Sequence, residues 1–332
     1  MDLKSKLLDT RRGLYLYGTT PPRQGSSTDK QYAIAEKLTA RLSNLNLDAI
    51  SVYDIQDEEG RTQIARPFPF VPVVDSREYA QILNKLTGKE IINYKCVAHY
   101  PKEDFPLWLE QSWKQFGLRY LTLVGGSTSK IAYPGLTLSQ ASQAIAYHQY
   151  NFVFGGVTIA ERHLSKGNEH LKLIEKSHRG MQFFTSQVVY QPKATIKLLQ
   201  DYDLQCQELD LSPVRIILTF APCGHPKTLH FLKWLGVNFP LETEQEIFSA
   251  QFPLQKSMEV CCSTLRQILD SIEPLKIPLG INVESVSIKK DEIDASIELF
   301  QELKEILTTF YQGKEMNYPE PTQVQSDGKI RA

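Results

Sequence analysis

The sequence predicts one closed (β/α)8 barrel, an α/β fold, on three observations. Short β-branched or aromatic runs alternate with longer segments whose apolar residues recur every three or four positions, and this unit occurs eight times along the chain. Each run is apolar almost without interruption, as parallel strands covered on both faces require. No Gly-x-Gly-x-x-Gly follows the first run. That removes the usual signature of an open dinucleotide-binding sheet, and eight is the number of units that closes a barrel.

The strands are expected at Leu14–Tyr17, Ala49–Tyr53, Ile91–Val97, Tyr120–Val124, Phe152–Val157, Phe183–Val189, Val214–Phe220 and Leu279–Val286. Among the helices, Leu254–Ile272 places Met258, Cys261, Leu265, Ile268 and Ile272 on one face. Asp291–Thr309 does the same through Ile293, Ile297, Phe300 and Ile306. A chain of 332 residues with 42% hydrophobic content can bury such a core as one domain, assigned to residues 1–312. Residues 313–332 are polar and poor in apolar side chains, and are expected to be a disordered tail.

Charge narrows the partners. The 37 Lys and Arg balance 38 Asp and Glu, which gives no cationic surplus to release counterions from nucleic acid or to hold an anionic membrane. The N-terminus has no apolar signal region, and no apolar run approaches the roughly 18 to 20 residues that span a bilayer, so the expected compartment is the cytoplasm. Five cysteines, Cys96, Cys206, Cys223, Cys261 and Cys262, show no C-x-x-C spacing and read as packed thiols. Cys223 with His225 is only part of a tetrahedral set, so no metal is expected. The sequence leaves open how many subunits assemble, a homo-oligomer included.

In such a barrel the site lies in the loops at the C-terminal strand ends. The loop after strand two, DIQDEEGRTQIARPFPFVPVVD, is unusually long, and Pro67, Pro69 and Pro72 stiffen it. The run Val124–Lys130, VGGSTSK, fails the phosphate-loop pattern, although successive backbone N–H groups at Gly125 and Gly126 can cradle a cofactor phosphate.

Four segments resemble the methylenetetrahydrofolate reductase family: LYLYGTTPPR with Pro21 and Pro22 after strand one, GGVTIAERH with Glu161 and His163 after strand five, HLKLIEKSHRGMQFFTSQVVY with Gly180 and the Ser186-Gln187 pair, and WLGVNFP at Trp234–Pro240. The resemblance implies NAD(P)H-dependent reduction of methylenetetrahydrofolate to methyltetrahydrofolate, with FAD carrying the hydride or with direct transfer from the nicotinamide. It places Gln187 at the folate pterin, and His163, Glu169 and Lys176 at the FAD ribose and phosphates. The chain also departs from the family. The acid at the end of strand one is Gly18, an Arg-Gly-Asp run at strand four is Val124-Gly125-Gly126, a strand-two Thr is Tyr53, and a strand-three His is Asn93.

A positioned acid contributes about 10² to 10⁴ in rate, roughly 3 to 5 kcal/mol of barrier, so turnover requires a substitute. Glu284 after strand eight is the first choice, then Asp54 and Glu161. Plainer readings stand beside these. Gln187 can bond a backbone group, His163, Glu169 and Lys176 can be ordinary polar surface, and Glu284 can pair with a neighbouring cation. A barrel that lost its acid would be a non-catalytic folate- or flavin-binding protein.

Overall fold

The structure, a computed structural model, describes residues 1–58, 62, 64–127, 131–272 and 276–317. The β-branched and aromatic runs form strands β1 Leu14–Thr19, β2 Ala49–Val52, β3 Glu90–Cys96, β4 Tyr120–Val124, β5 Val153–Thr158, β6 Phe183–Val188, β7 Arg215–Phe220 and β8 Leu279–Glu284. Each lies within two residues of its predicted bounds. Every strand pairs in parallel with its neighbour in chain order, and β8 closes onto β1, giving the expected (β/α)8 barrel.

The helices are α1 Leu3–Leu8, α2 Thr28–Leu42, α3 Ser76–Thr87, α4 Phe105–Lys114, α5 Leu138–Ala146, α6 Ala160–Lys166, α7 Glu169–His178, α8 Pro192–Glu208, α9 Pro226–Trp234, α10 Leu241–Phe248, α11 Pro253–Ile272 and α12 Lys290–Asn317. Local chemistry sets their ends. Asp75 caps α3 by accepting the Arg77 N–H, and Gly88 ends it at φ 65°, where a Cβ would be strained. Thr137 and Gln140 form a reciprocal capping box on α5. Helix α12 runs to Asn317, past the Gly313 boundary drawn from composition, and residues 318–332 lie outside the described residues. No described helix is long and apolar enough to cross a membrane.

Two apolar layers hold the fold. The larger lies between barrel wall and helices and contains the buried faces of α8, α11 and α12. The smaller fills the lower barrel with Leu14, Leu16, Ala49, Ile92, Tyr120, Val153, Phe183 and Ile217, and α1 plugs it from below with Leu3 and Leu7. Arg215, 1% exposed, locks the plug by donating to the carbonyls of Leu7 (2.9 Å), Arg12 (3.0 Å) and Lys6 (3.3 Å), and to those of Asp9 and Leu279. All five cysteines are buried and free.

Candidate functional site

Successive residues of a strand face opposite sides, so the inward face can be read upward from the lower apolar layer. Two residues beyond Leu16, Ala49, Ile92, Tyr120, Phe183 and Ile217 stand Gly18, Ser51, Tyr94, Thr122, Thr185 and Thr219. On β8 the same parity turns Asn282 and Glu284 inward. The interior therefore changes from apolar to polar toward the C-terminal strand ends. Ser51 Oγ, Thr219 Oγ1 and Asn282 Oδ1 are buried there without a hydrogen-bond partner among the described residues, and Thr122 is paired with the Tyr94 hydroxyl. Buried polar atoms are rarely left unpaired, and three on one inward face make a chamber suited to a polar ligand.

Glu284 sits at the rim of this chamber, paired in register with Gly18 on β1, which in turn pairs with Ser51 on β2. A Cβ on Gly18 would overlap the Tyr53 hydroxyl, so the glycine is what lets the Tyr53 ring lie across the end of β1. From there the Tyr53 hydroxyl accepts the Asn282 Nδ2 hydrogen at 2.9 Å and donates to the Glu284 carboxylate. The ring packs edge-on against Tyr94, with centroids 4.7 Å apart. Burial pushes Glu284 up to about 7, and the Tyr53 hydrogen bond opposes part of that rise. Burial and the neighbouring Glu284 hold Tyr53 well above the usual phenol range, so it remains a donor. A carboxyl group poised near neutrality can both give and take a proton. This carboxyl group lies one strand away from Gly18.

The other two candidate acids differ from Glu284. Asp54 accepts from Cys96 N (2.9 Å), Gln56 Nε2 (2.6 Å) and the Tyr100 hydroxyl (3.1 Å), with Lys95 Nζ 3.9 Å away. Its carboxylate ties the start of the β2–α3 loop to the end of β3. Glu161 stands in the first turn of α6, half-buried, and desolvation raises its pKa. It is a second rim carboxyl group with no ion pair among the described residues.

At β6 the register shifts between Thr185 and Val188, a bulge in which Ser186 Oγ accepts Thr219 N (2.9 Å). Bulges re-aim side chains. Gln187 follows suit, with Nε2 donating to Leu235 O (2.8 Å) and Oε1 accepting Val188 N (3.3 Å). The plainer reading describes its contacts here: it bonds backbone at the end of α9.

The expected flavin contacts are also committed elsewhere. His163, 3% exposed, places Nε2 at 2.8 Å from Asp201 on α8. Glu169 is buried and pairs with Lys172 at 3.1 Å. Lys176 donates to Val157 O at 2.9 Å, and burial lowers its pKa. His163 fastens α6 to α8 and Lys176 fastens α7 to β5, while Glu169 pairs within α7. A Cβ on Gly125 would stand 3.3 Å from Leu138, and one on Gly126 would overlap the Tyr133 ring, so protein already fills the space beside both glycines. Residues 128–130 of that run lie outside the described residues. The residues proposed for FAD do not fit a flavin in this arrangement. Asn93 corrects another expectation: its amide reaches Ser76 on α3 (3.2 Å), outside the barrel, and the inward residue is Tyr94. Where no metal set was expected, His163, His170 and Asp201 bring donor atoms within 4.8 Å of one another on the outer wall. His225 instead bonds Asp291 at 2.7 Å, apart from Cys223.

The long β2–α3 loop, described at residues 53–58, 62 and 64–75, reaches α9. It leaves β2 at Asp54 and packs Phe68 on Phe231 of α9, with centroids 5.8 Å apart. It returns to the β1–α2 loop through Gln24 N to Pro72 O (2.8 Å) and Val74 N to Pro22 O (2.9 Å). Its described residues thus join the end of β2, α9 and the β1–α2 loop, all at the C-terminal end of the barrel. Length and prolines marked the loop in the sequence, but nothing there indicated where it lands.

No protein-family profile matches the chain, and no curated protein does. A solved structure of a Clostridium thermocellum protein, described as binding two copies of 5-methyl-5,6,7,8-tetrahydrofolic acid, matches at TM-score 0.79 and 32% identity, covering 92% of this chain and 99% of that chain. A candidate lyase/mutase from Burkholderia cenocepacia matches at TM-score 0.38 and 12% identity over 72% of this chain and 81% of that one, and carries no argument.

Proposed function

This chain belongs to the family of that Clostridium thermocellum protein, and on that premise we propose that it binds a reduced folate carrying a one-carbon group in the C-terminal mouth of its barrel. The observation that carries the reading is Glu284, held near neutrality by burial and bonded by Tyr53 at the rim of a chamber of unpaired hydroxyl and amide groups. A pterin presents alternating donors and acceptors along its edge. Hydroxyl and amide side chains, which do both, suit it.

A second reading, NAD(P)H-dependent reduction of methylenetetrahydrofolate, is favoured by the same carboxyl group. Hydride delivered to the methylene carbon leaves the opened ring nitrogen in need of a proton, and a half-protonated Glu284 can supply it. No flavin step is included, because the residues expected to hold FAD are engaged with internal partners.

Calorimetric titration of the protein with 5-methyltetrahydrofolate tests the first reading. Saturable binding supports it, and its absence ends it. NAD(P)H consumption with methylenetetrahydrofolate, without added flavin, tests the second. Glu284→Gln is then expected to bind folate but lose turnover by about 10² to 10⁴, whereas folate binding with no oxidation by the wild type leaves a binding protein.

A further inference from the structure

The β2–α3 loop carries a guanidinium whose described surroundings lack something. Arg66 lies among aromatic rings, 5.2 Å from the Phe70 centroid, 5.8 Å from Phe231 and 4.6 Å from Trp234. Its Nε and Nη1 are buried and bond to nothing among the described residues. Among the described residues the carboxylate that pairs with it is Asp57, 3.9 Å from Nη1, beyond hydrogen-bond range, and half exposed. Aromatic faces attract a cation, but they offer no acceptor to its N–H groups. Removing a guanidinium from water without acceptors is costly, so this one is arranged for an anion.

We propose that Arg66 is the carboxylate clamp of the folate site and that it recognises the glutamate tail of the ligand. The inference rests on the folate-binding reading above and deepens it. A folate seated with its pterin in the chamber must send its benzoyl-glutamate arm out through the mouth, at the end of the barrel where the described part of this loop packs on α9. Phe68, which is exposed, offers apolar surface for the benzoyl ring, and the Arg66 fork fits a carboxylate in the two-bond geometry that lysine cannot reproduce. About a fifth of the Arg66 side chain, 21%, remains open to an incoming ligand.

The test compares two ligands on three proteins. 5-Methyltetrahydrofolate and 6-methyltetrahydropterin, which has the ring system without the tail, are titrated into the wild type, Arg66→Gln and Arg66→Lys, with thermal melts as a check on folding. The expected result is that Arg66→Gln weakens the folate by about 10- to 100-fold, the size of a charge-assisted hydrogen bond, and leaves the pterin unchanged. Arg66→Lys should recover only part of the loss. Equal weakening of both ligands would mean that Arg66 merely pins the loop to α9, and no change in either would mean that it has no part in binding. Both results overturn the clamp while leaving the folate reading intact. A wild type that binds neither ligand would instead overturn the folate reading, and the clamp with it.

Discussion

The two ends of this barrel each hold a largely buried arginine, and the two are treated in opposite ways. At the lower end Arg215 is surrounded by main-chain carbonyls, including three from the end of α1 and the residue after it, Lys6, Leu7 and Asp9. The C-terminal end of a helix is rich in unpaired acceptors and carries partial negative charge, so a cation there satisfies the helix and is itself satisfied. At the upper end Arg66 has rings in place of acceptors, and two of its nitrogens are buried without partners. The contrast extends to the layers behind them, which are apolar and closed below, polar and partly unpaired above. In a barrel of this kind the lower face serves stability and the upper face serves ligands, and hydrogen-bond accounting alone separates the two here.

The largest effect that would break this comparison lies at the lower end. Arg215→Met removes the donor to several buried carbonyls at once, and each acceptor left unpaired costs about 1 to 3 kcal/mol. A loss of about 3 to 5 kcal/mol in urea unfolding is expected, on the scale of breaking a buried charged network, with ligand affinity of the folded protein unchanged. A loss below about 1 kcal/mol would show that the plug is held by Leu3 and Leu7 alone.

A smaller effect is expected where β1 meets the chamber. Gly18→Ala places a methyl group on the Tyr53 hydroxyl and ring. Tyr53 must move, and overpacking of this kind costs about 1 to 3 kcal/mol. Because Tyr53 also bonds Asn282 and Glu284, the substitution should disturb the site as well as the fold. An unchanged melting temperature together with unchanged folate affinity would show that the close approach at Gly18 has no consequence.

The sequence revealed the strands because parallel strands buried on both faces leave long apolar runs, and their ends located Glu284. It did not reveal direction. Resemblance aligned Asn93 with a site residue, yet a strand reverses its face at every position, and Tyr94 is the one that looks inward. His163, Glu169 and Lys176 lie on helices, where spacing fixes a stripe but not which neighbour it meets, and they meet α8, Lys172 of the same helix and the barrel wall respectively. The bulge that re-aims Gln187 leaves no trace in hydrophobic pattern. Arg66 was hidden for another reason: its partners Phe231 and Trp234 are more than 160 residues away along the chain.

The smallest effect is also the sharpest probe of the upper end. Tyr53→Phe deletes the hydroxyl that donates to Glu284 and accepts from Asn282, at a cost of about 1 kcal/mol. Its signature is in pH. Glu284 titrates near 7 when folded against an ordinary value of 4.5, so the folded chain keeps a proton that the unfolded chain gives up. Stability from this group is therefore fully present below about 4.5 and declines as pH rises toward 7, the reverse of the behaviour of a salt-bridged carboxylate. The Tyr53 hydrogen bond favours the charged form, so its removal raises the Glu284 pKa further and extends the decline to higher pH. Carbon NMR titration of the Glu284 carboxyl, with melting temperatures across the same range, reads both consequences. A midpoint that stays in place or falls in Tyr53→Phe would mean that the Tyr53 hydroxyl does not stabilise the Glu284 carboxylate.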